Sequence, residues 1–231
     1  VTSVLLSTDM FTLIDEDAIA PIDQFVKTDA DKAWLKGFYP AFMANSQTDG
    51  KTWGVPFQRS TVVMYYNNDL FKEAGLDPNK APQNWKELSE AAQKLTKKDA
   101  NGNVTQYGIQ IPSTGFAYWM LQTLTTPNGV LLANETGTKV TFDHPKVIEA
   151  LEYWVNLTKQ GVHPAGVVEW GTTPKDFFEK KAAIMVTTTG NLTNVRKNAQ
   201  FDFGVGQIAG NVRKGSPTGG GNFYIFKKAP K

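Results

Sequence analysis

The sequence predicts an α/β protein, because segments with strand character alternate with segments of helical periodicity along the chain. The clearest helix is predicted over 85–97, with Asn84 as its N-cap and Glu87 three residues later. Its apolar residues recur at i, i+3, i+4 and i+7: Leu88, Ala91, Ala92 and Leu95. The clearest strand is 182–187, whose uninterrupted apolar run is typical of a strand that is buried on both faces.

The remaining elements follow in order. The first third is predicted to contain a strand (1–6), a connection (15–25), a polar and aromatic helix (29–44), a turn-rich loop (45–51) and two strands (52–57 and 61–67). A second long helix is predicted over 145–159, with Asp143 as its cap. Its buried stripe is predicted to contain Val147, Ile148, Leu151, Trp154 and Val155. The last elements are predicted as a helix from Thr173, a helix that opens at 190–191 and ends before Phe201, and strands at 203–206 and 223–226.

Composition excludes several classes of protein. The 231 residues are 41% hydrophobic and 20% charged, which is the balance of a folded chain and not of a disordered one. The absence of cysteine excludes disulfides, thiolate nucleophiles and cysteine-ligated metals. A net charge of +2, with short basic pairs interrupted by acids, argues against nucleic-acid binding. Because the chain begins and ends in strand-like runs, we expect it to be a piece of a longer protein.

Catalytic and metal-binding patterns are weak. The spacings of zinc proteases, serine hydrolases and nucleotide-binding loops do not occur. The histidines, His144 and His163, are predicted as surface or capping residues, and we expect neither a metal nor a cofactor. The run 99–103 alternates like a calcium loop, but it lacks the later glycine and glutamate, which favours a polar turn. A glycosidase that uses two carboxylates stays open, since composition cannot exclude it.

Binding patterns are stronger. The run 187–191 (TTTGN) lies between a buried strand and a helix start, where free backbone donors favour an anion or a polyol; ordinary capping by threonine is the alternative. Phe116, Tyr118 and Trp119 form either an aromatic platform for a ligand or part of the core. The glycines at 219–221 allow close approach of a ligand to the backbone, or simply form a flexible loop.

Three motifs carry a family resemblance. The segments 54–67 (GVPFQRSTVVMYYN), 71–78 (FKEAGLDP) and 82–88 (PQNWKEL) resemble the extracellular solute-binding proteins of ABC importers, in their maltose-binding-like branch. A further match, 178–185 (FEKKAAIM), has Lys180 where the family usually has glycine. Within the family, 189–196 (TGNLTNVR) is most similar to members that bind glycerol 3-phosphate and glycerophosphodiesters.

The resemblance implies a two-lobed periplasmic-binding-protein fold of type II, with the second lobe complete and the first partial. Residues 1–57 would form the partial lobe I, residues 58–211 lobe II, and residues 212–231 the return segment to lobe I. The ligand would be held between the lobes, which close on it.

The resemblance also implies a set of ligand-binding residues. They are Ser60 in the crossing segment and its neighbour Arg59, Phe116 and Trp119 in the aromatic run, Thr188 before the helix, Gly220 in the glycine-rich loop, and Ser7 and Asp9 after the first strand. Phe116 stands where these relatives have a tryptophan, so one indole donor is missing. The family's phosphate-contacting arginine has no counterpart in this chain.

The implied function is that of the substrate-binding component of an ABC importer, which captures glycerol 3-phosphate or a glycerophosphodiester. An oligosaccharide-binding protein of a sugar importer is the alternative within the class, and a carbohydrate-active hydrolase is the alternative outside it. The expected partners are a small polar solute and the membrane permease subunits. We expect a monomer that is periplasmic or extracellular, associated with the membrane through the importer.

Overall fold

The computed structural model describes residues 2–134 and 137–228, apart from the side chains of Thr2 and Ser3. Val1 of the first predicted strand and residues 229–231 of the predicted return segment therefore lie outside the described residues. The chain divides into two units, of which unit 1 is Val1–Ser60 with Thr218–Lys231 and unit 2 is Thr61–Pro217. The predicted boundaries, at 57/58 and 211/212, lie a few residues earlier.

The elements are numbered along the chain. The helices are α1 (Met10–Asp15), α2 (Asp29–Lys36), α3 (Pro40–Met43), α4 (Asn68–Glu73), α5 (Trp85–Leu95), α6 (Ala117–Thr125), α7 (Pro145–Lys159), α8 (Thr173–Phe178) and α9 (Leu192–Asn198). The strands are β1 (Thr2–Leu6), β2 (Ile19–Ala20), β3 (Gln47–Thr48), β4 (Lys51–Thr52), β5 (Val55–Asn67), β6 (Lys97–Lys98), β7 (Val104–Gln110), β8 (Ala182–Thr188), β9 (Phe203–Gln207) and β10 (Thr218–Phe226). No described helix is long and apolar enough to span a membrane.

In unit 1, β10 pairs antiparallel with both β1 and β2, around a small core that contains Met10, Ile19 and Tyr224. The single helix predicted over 29–44 is wrong, because the chain forms α2 and α3 there. The predicted helix is interrupted at Gly37, where α2 ends, and Pro40 begins α3 at its first position, a position that proline favours. Sequence reasoning also missed α1.

Unit 2 is built on a mixed sheet with the strand order β9-β5-β8-β7-β6. β5 pairs antiparallel with β8 and β9, while β7 and β8 are parallel. The two strands predicted at 52–57 and 61–67 are therefore wrong as a pair, since one continuous strand covers 55–67. β7 was not predicted at all, although it lies beside the central strand of this sheet.

Every residue of β8 is buried, which confirms the prediction of a strand covered on both faces. Side chains that alternate along β5 pack into two separate cores. Val62 and Met64 face the larger core with α5 and α6, whereas Val63 and Tyr65 face a smaller core with Phe177. Because helices cover both faces, the sequence of β8 needs no polar alternation.

The two long helices of unit 2 differ in how well their sequences predict them. The Asn84 side chain accepts a hydrogen bond from the Glu87 amide at 2.9 Å, as predicted for the cap of α5. α7 has the predicted bounds, but its cap is His144 and not Asp143: the ring Nδ1 of His144 accepts from the Lys146 amide at 3.1 Å.

The predicted stripe of α7 is also wrong in part. The buried residues are Val147, Ala150 and Leu157, and Trp154 is partly buried. Three members of the predicted stripe are instead exposed by 41–50%: Ile148, Leu151 and Val155. The helix therefore packs on unit 2 through the row that contains Val147, Ala150 and Leu157, and the adjacent aliphatic row remains on the surface.

Candidate functional site

Hydrogen bonds around Pro217 connect four distant segments of unit 2. This oxygen accepts hydrogen bonds from the Thr61 hydroxyl at 3.3 Å and from the indole Nε1 of Trp119 at 3.2 Å. The Thr61 amide donates to the Thr189 hydroxyl at 3.2 Å. Ser216 donates to the carbonyl of Val62 at 2.9 Å. These bonds bring together the middle of β5, the turn after β8, α6 and the segment before β10. We call this part of unit 2 the threonine edge.

An aromatic cluster lies beside this edge. The rings of Trp119 and Trp170 are stacked, with their centroids 6.5 Å apart and 17° between their planes. Phe116 packs edge-on against both rings, with centroid distances of 6.2 Å to Trp119 and 5.1 Å to Trp170. Trp119 is only 7% exposed and belongs to the larger core, while Phe116 and Trp170 are partly buried. Tyr118 is 47% exposed and presents the accessible ring of the predicted platform.

Trp170 was missed in the sequence, although it completes the cluster. A ladder of hydrogen bonds holds the loop that carries it against the loop that carries Phe116. The Ser113 amide donates to the carbonyl of Val168 at 2.8 Å, and the Val168 amide donates back to the Ser113 hydroxyl at 2.9 Å. The Trp170 amide donates to the Thr114 hydroxyl at 3.3 Å. No short-range motif links these positions, because their pairing depends on the fold of both loops.

His163 anchors the base of this ladder. It is 4% exposed, so the prediction of a surface or capping histidine is wrong. Its Nε2 accepts from the Ile111 amide at 3.0 Å, and its Nδ1 lies 2.8 Å from the carbonyl of Pro164. This pattern fits the neutral ring with the proton on Nδ1. Burial lowers the pKa of His163 below its ordinary value of 6.5, because the charged form loses its hydration.

Thr188 closes β8 next to the threonine edge. Its side chain caps neither the following 3-10 turn nor α9, so the capping alternative is not observed. Among the described residues, the Thr188 hydroxyl has no hydrogen-bond partner. Its carbonyl accepts from the Tyr65 hydroxyl at 3.0 Å, and burial raises the pKa of Tyr65 to about 12. The amide nitrogen of the Asn191 side chain is likewise buried without a described partner.

Unit 1 carries the other predicted residues, and Arg59 is central among them. Its guanidinium donates to five oxygens at 2.6–3.2 Å: the carbonyls of Phe42, Gln58 and Gly221, the hydroxyl of Ser46 and the side-chain oxygen of Asn222. All three nitrogens are thus used inside unit 1. The neighbouring Ser60 is partly buried, and its hydroxyl has no partner among the described residues.

The backbone conformation at position 220 of unit 1 requires a glycine. Its φ of +136° is one that L side chains rarely adopt, and a Cβ there would lie 2.2 Å from the carbonyl oxygen of Gln58. The predicted approach of a ligand to this backbone stays a prediction, but close packing against the chain at Gln58 already accounts for the glycine.

Ser7 and Asp9 lie in the 3-10 turn that follows β1. A carboxylate oxygen of Asp9 accepts from the Leu6 amide at 3.0 Å and so closes this turn. The carbonyl of Leu6 accepts from the Tyr224 hydroxyl at 3.2 Å. Asp9 therefore has a local structural role, and contact with a ligand by either residue remains a prediction.

Among the described residues, no three His, Asp or Glu side chains are grouped as a metal site. The predicted polar turn at 99–103 is confirmed. The Asp99 carboxylate accepts from the amides of Asn101 at 2.9 Å and Asn103 at 2.8 Å, and the bonds from Asn103 and its neighbours lower the pKa of this carboxyl.

A model of the family described as bacterial extracellular solute-binding protein matches residues 1–231. The chain belongs to this family. A relative from Yersinia pseudotuberculosis, the sn-glycerol-3-phosphate-binding periplasmic protein UgpB, is 29% identical over 224 residues, which cover 93% of this chain and 50% of the relative. The chain thus spans about half the length of the curated relatives that it matches.

Solved structures confirm the α/β periplasmic-binding-protein fold. The structure of UgpB from Mycobacterium tuberculosis, in complex with glycerophosphocholine, is similar over 100% of this chain and 56% of the UgpB chain, with a TM-score of 0.83 and 22% identity. The structure of a solute-binding protein of an ABC transporter from Thermotoga lettingae, bound to α-D-tagatose, is similar over 100% of this chain and 59% of its own chain, with a TM-score of 0.84 and 19% identity. At these identities, the structural likeness establishes the fold alone.

Proposed function

We propose that this chain is the substrate-binding component, or part of it, of an ABC importer for glycerol 3-phosphate or a glycerophosphodiester. The observation that carries the proposal is the free Thr188 hydroxyl beside the convergent hydrogen bonds of the threonine edge. The oxygen of this hydroxyl is not among the buried unpartnered atoms of the described residues, so it is accessible to a solute or to water. The relatives named for glycerol 3-phosphate support this solute class.

The aromatic cluster supplies apolar surface next to these polar groups. Because the indole N–H of Trp119 is already bonded to Pro217, the ring would contribute its face and not a hydrogen bond. Phe116 and Trp170 fix the orientation of that face. A glycerol backbone, or the choline group of a diester, would pack against such rings through C–H and cation–π contacts.

An oligosaccharide or another neutral sugar is the second candidate. The tagatose complex of the Thermotoga lettingae protein favours it, as does the exposed ring of Tyr118, because sugars stack on accessible aromatic faces. A hydrolase is not favoured, since the family is described as solute-binding.

Transport requires a membrane permease, which would receive the loaded protein outside the cytoplasm. We propose a periplasmic or extracellular location from the family description and from the periplasmic relatives. We also propose that the protein acts as a monomer that recognises neither nucleic acid nor a cofactor.

Isothermal titration would test the solute. Glycerol 3-phosphate, glycerophosphocholine and maltose would be titrated into this chain and, in parallel, into the longest natural polypeptide that contains it. We expect selective heat from a phosphorylated solute. Selective heat from maltose would replace the proposal with the sugar alternative, and release of a product from any of the three would contradict the transport function.

A further inference from the structure

The sequence contains two pairs of asparagine followed by glycine, and the fold places them in opposite surroundings. Asn101 and Gly102 lie in the exposed polar turn between β6 and β7. Asn128 and Gly129 follow α6, and the Asn128 side chain is fully buried. An asparagine before glycine is prone to spontaneous loss of its side-chain amide group, because glycine leaves the attacking backbone nitrogen unshielded. The surroundings of each pair therefore decide which of the two can react.

The turn at Asn101 leaves room for this reaction. The Asn101 side chain is exposed and has no hydrogen-bond partner among the described residues. A Cβ added at Gly102 would meet nothing within 4 Å, so the surroundings of this glycine are open. The Gly102 amide donates to the carbonyl of Asp99 at 3.0 Å, and this bond must open before the nitrogen can attack. Opening is local, because the turn is exposed and β6 is a two-residue strand at the end of the strand order.

Asn128 is held away from the same reaction by its neighbours. Its side-chain nitrogen donates to the carbonyl of Lys146 at 2.7 Å and to the Glu149 carboxylate at 2.8 Å. Its side-chain oxygen accepts from the Asn211 amide group at 2.8 Å. Because the amide group is bonded at both atoms and shielded from water, attack and hydrolysis at Asn128 require this part of unit 2 to unfold.

We propose that Asn101 is a site of spontaneous deamidation, at which the backbone nitrogen of Gly102 attacks the side-chain carbon Cγ. A bond forms between this nitrogen and Cγ, and the bond from Cγ to Nδ2 breaks. The proton of the attacking nitrogen leaves with Nδ2 as ammonia, and a succinimide ring remains. Water then opens the ring at either carbonyl, which gives aspartate or isoaspartate at position 101. The modification adds a negative charge to the turn and consumes only water.

The product changes a defined set of bonds. The Asp99 carboxylate accepts from the backbone amides of Asn101 and Asn103 and from the Asn103 side chain at 3.1 Å. Isoaspartate inserts a methylene into the backbone between these donors and places a second carboxylate near Asp99, so the turn should loosen. The turn precedes β7, whereas the loop that carries Phe116 follows the other end of this strand. Solute affinity should therefore be retained.

Peptide mapping by mass spectrometry tests the site in the unmodified chain, incubated in its folded state at mildly alkaline pH. The product is detected by the mass gain that accompanies replacement of an amide NH2 by a hydroxyl, and fragmentation of the peptide locates it. We expect Asn101 to react on the order of tenfold or more faster than Asn128, because Asn128 must wait for local unfolding. In concentrated urea the two rates should agree within about threefold, because the fold no longer protects Asn128.

Asn101→Gln is the matched control, since it keeps an exposed amide group but would have to close a larger ring, which forms far more slowly. The mass gain in this peptide should disappear. Its persistence would assign the reaction to Asn103, in the same turn, and would overturn the inference. Equal rates at Asn101 and Asn128 in the folded chain, or a difference that stays unchanged in urea, would overturn it as well, because the fold would not then select the site.

Discussion

The Arg59 network of unit 1 and the threonine edge of unit 2 use polar side chains in opposite ways. Around Arg59, donors and acceptors bind one another, and all acceptors of the positively charged guanidinium are neutral. At the threonine edge, two donors converge on the carbonyl of Pro217, and the neighbouring Thr188 hydroxyl has no partner among the described residues. Saturated networks fix a fold, whereas free groups beside rigid aromatic rings are suited to binding. Substitutions in the first region should therefore mainly change stability, and those in the second should also change affinity.

The largest loss of stability and affinity is expected for Trp119→Ala, which tests whether the aromatic cluster both stabilises the fold and binds solute. Removing this buried ring should cost about 3–5 kcal/mol of unfolding free energy and weaken solute binding by about 1–3 kcal/mol. Chemical denaturation and calorimetry measure the two effects separately. Tyr118→Ala is the control, since its exposed neighbouring ring should cost little stability. Unchanged affinity with lost stability would assign Trp119 to the core alone.

Gly220→Ala tests the structural role assigned to the glycine-rich segment. The added Cβ meets the carbonyl oxygen of Gln58 at 2.2 Å with φ at +136°, so we expect a loss of about 2–4 kcal/mol in unfolding free energy. Gly171→Ala is a matched control, because nothing lies within 4 Å of its added Cβ. If both alanine variants unfold at the same temperature, the close approach at Gly220 is not a constraint.

Thr188→Val tests whether the free hydroxyl binds solute. It should weaken affinity by about 1 kcal/mol while leaving stability nearly unchanged, because the hydroxyl makes no hydrogen bond in the described structure. Thr187→Val, one residue earlier and on the other face of β8, controls for the loss of a hydroxyl. A loss of stability without loss of affinity would contradict the role in binding.

The smallest effect is expected from the protonation of His163. The pKa of His163 is lower in the folded protein than its ordinary value of 6.5, so the unfolded chain takes up a proton first as pH falls. The neutral ring therefore contributes to stability above pH 6.5, and this contribution is lost as pH falls towards the folded pKa. The free energy of unfolding should therefore decrease from pH 7.5 to pH 5, and less steeply in His163→Gln. Identical slopes in the two proteins would show that the ring does not titrate with unfolding.

Sequence patterns predicted the elements that are determined by neighbouring residues, such as a helix cap or an apolar period. The cap and apolar face of α5 agree with the structure, and so do the bounds of α7 and the double burial of β8. The covered face of α7 was wrong, because periodicity identifies apolar rows but not the row that meets a neighbour. Trp170 and His163 join the site through pairing between loops, which a single sequence does not encode at short range. The saturation of Arg59 depends likewise on Asn222, far away in sequence.

The stacked pair of Trp119 and Trp170 has an optical consequence. Two indoles at 6.5 Å couple their electronic transitions, and the circular dichroism that results depends on how each ring is rotated relative to the other. The pair lies beside the threonine edge, and its signal would respond to small rotations of either ring. Solute capture would then be visible in the unlabelled protein as a change in tryptophan absorption and emission, read directly from the rings that we propose face the solute.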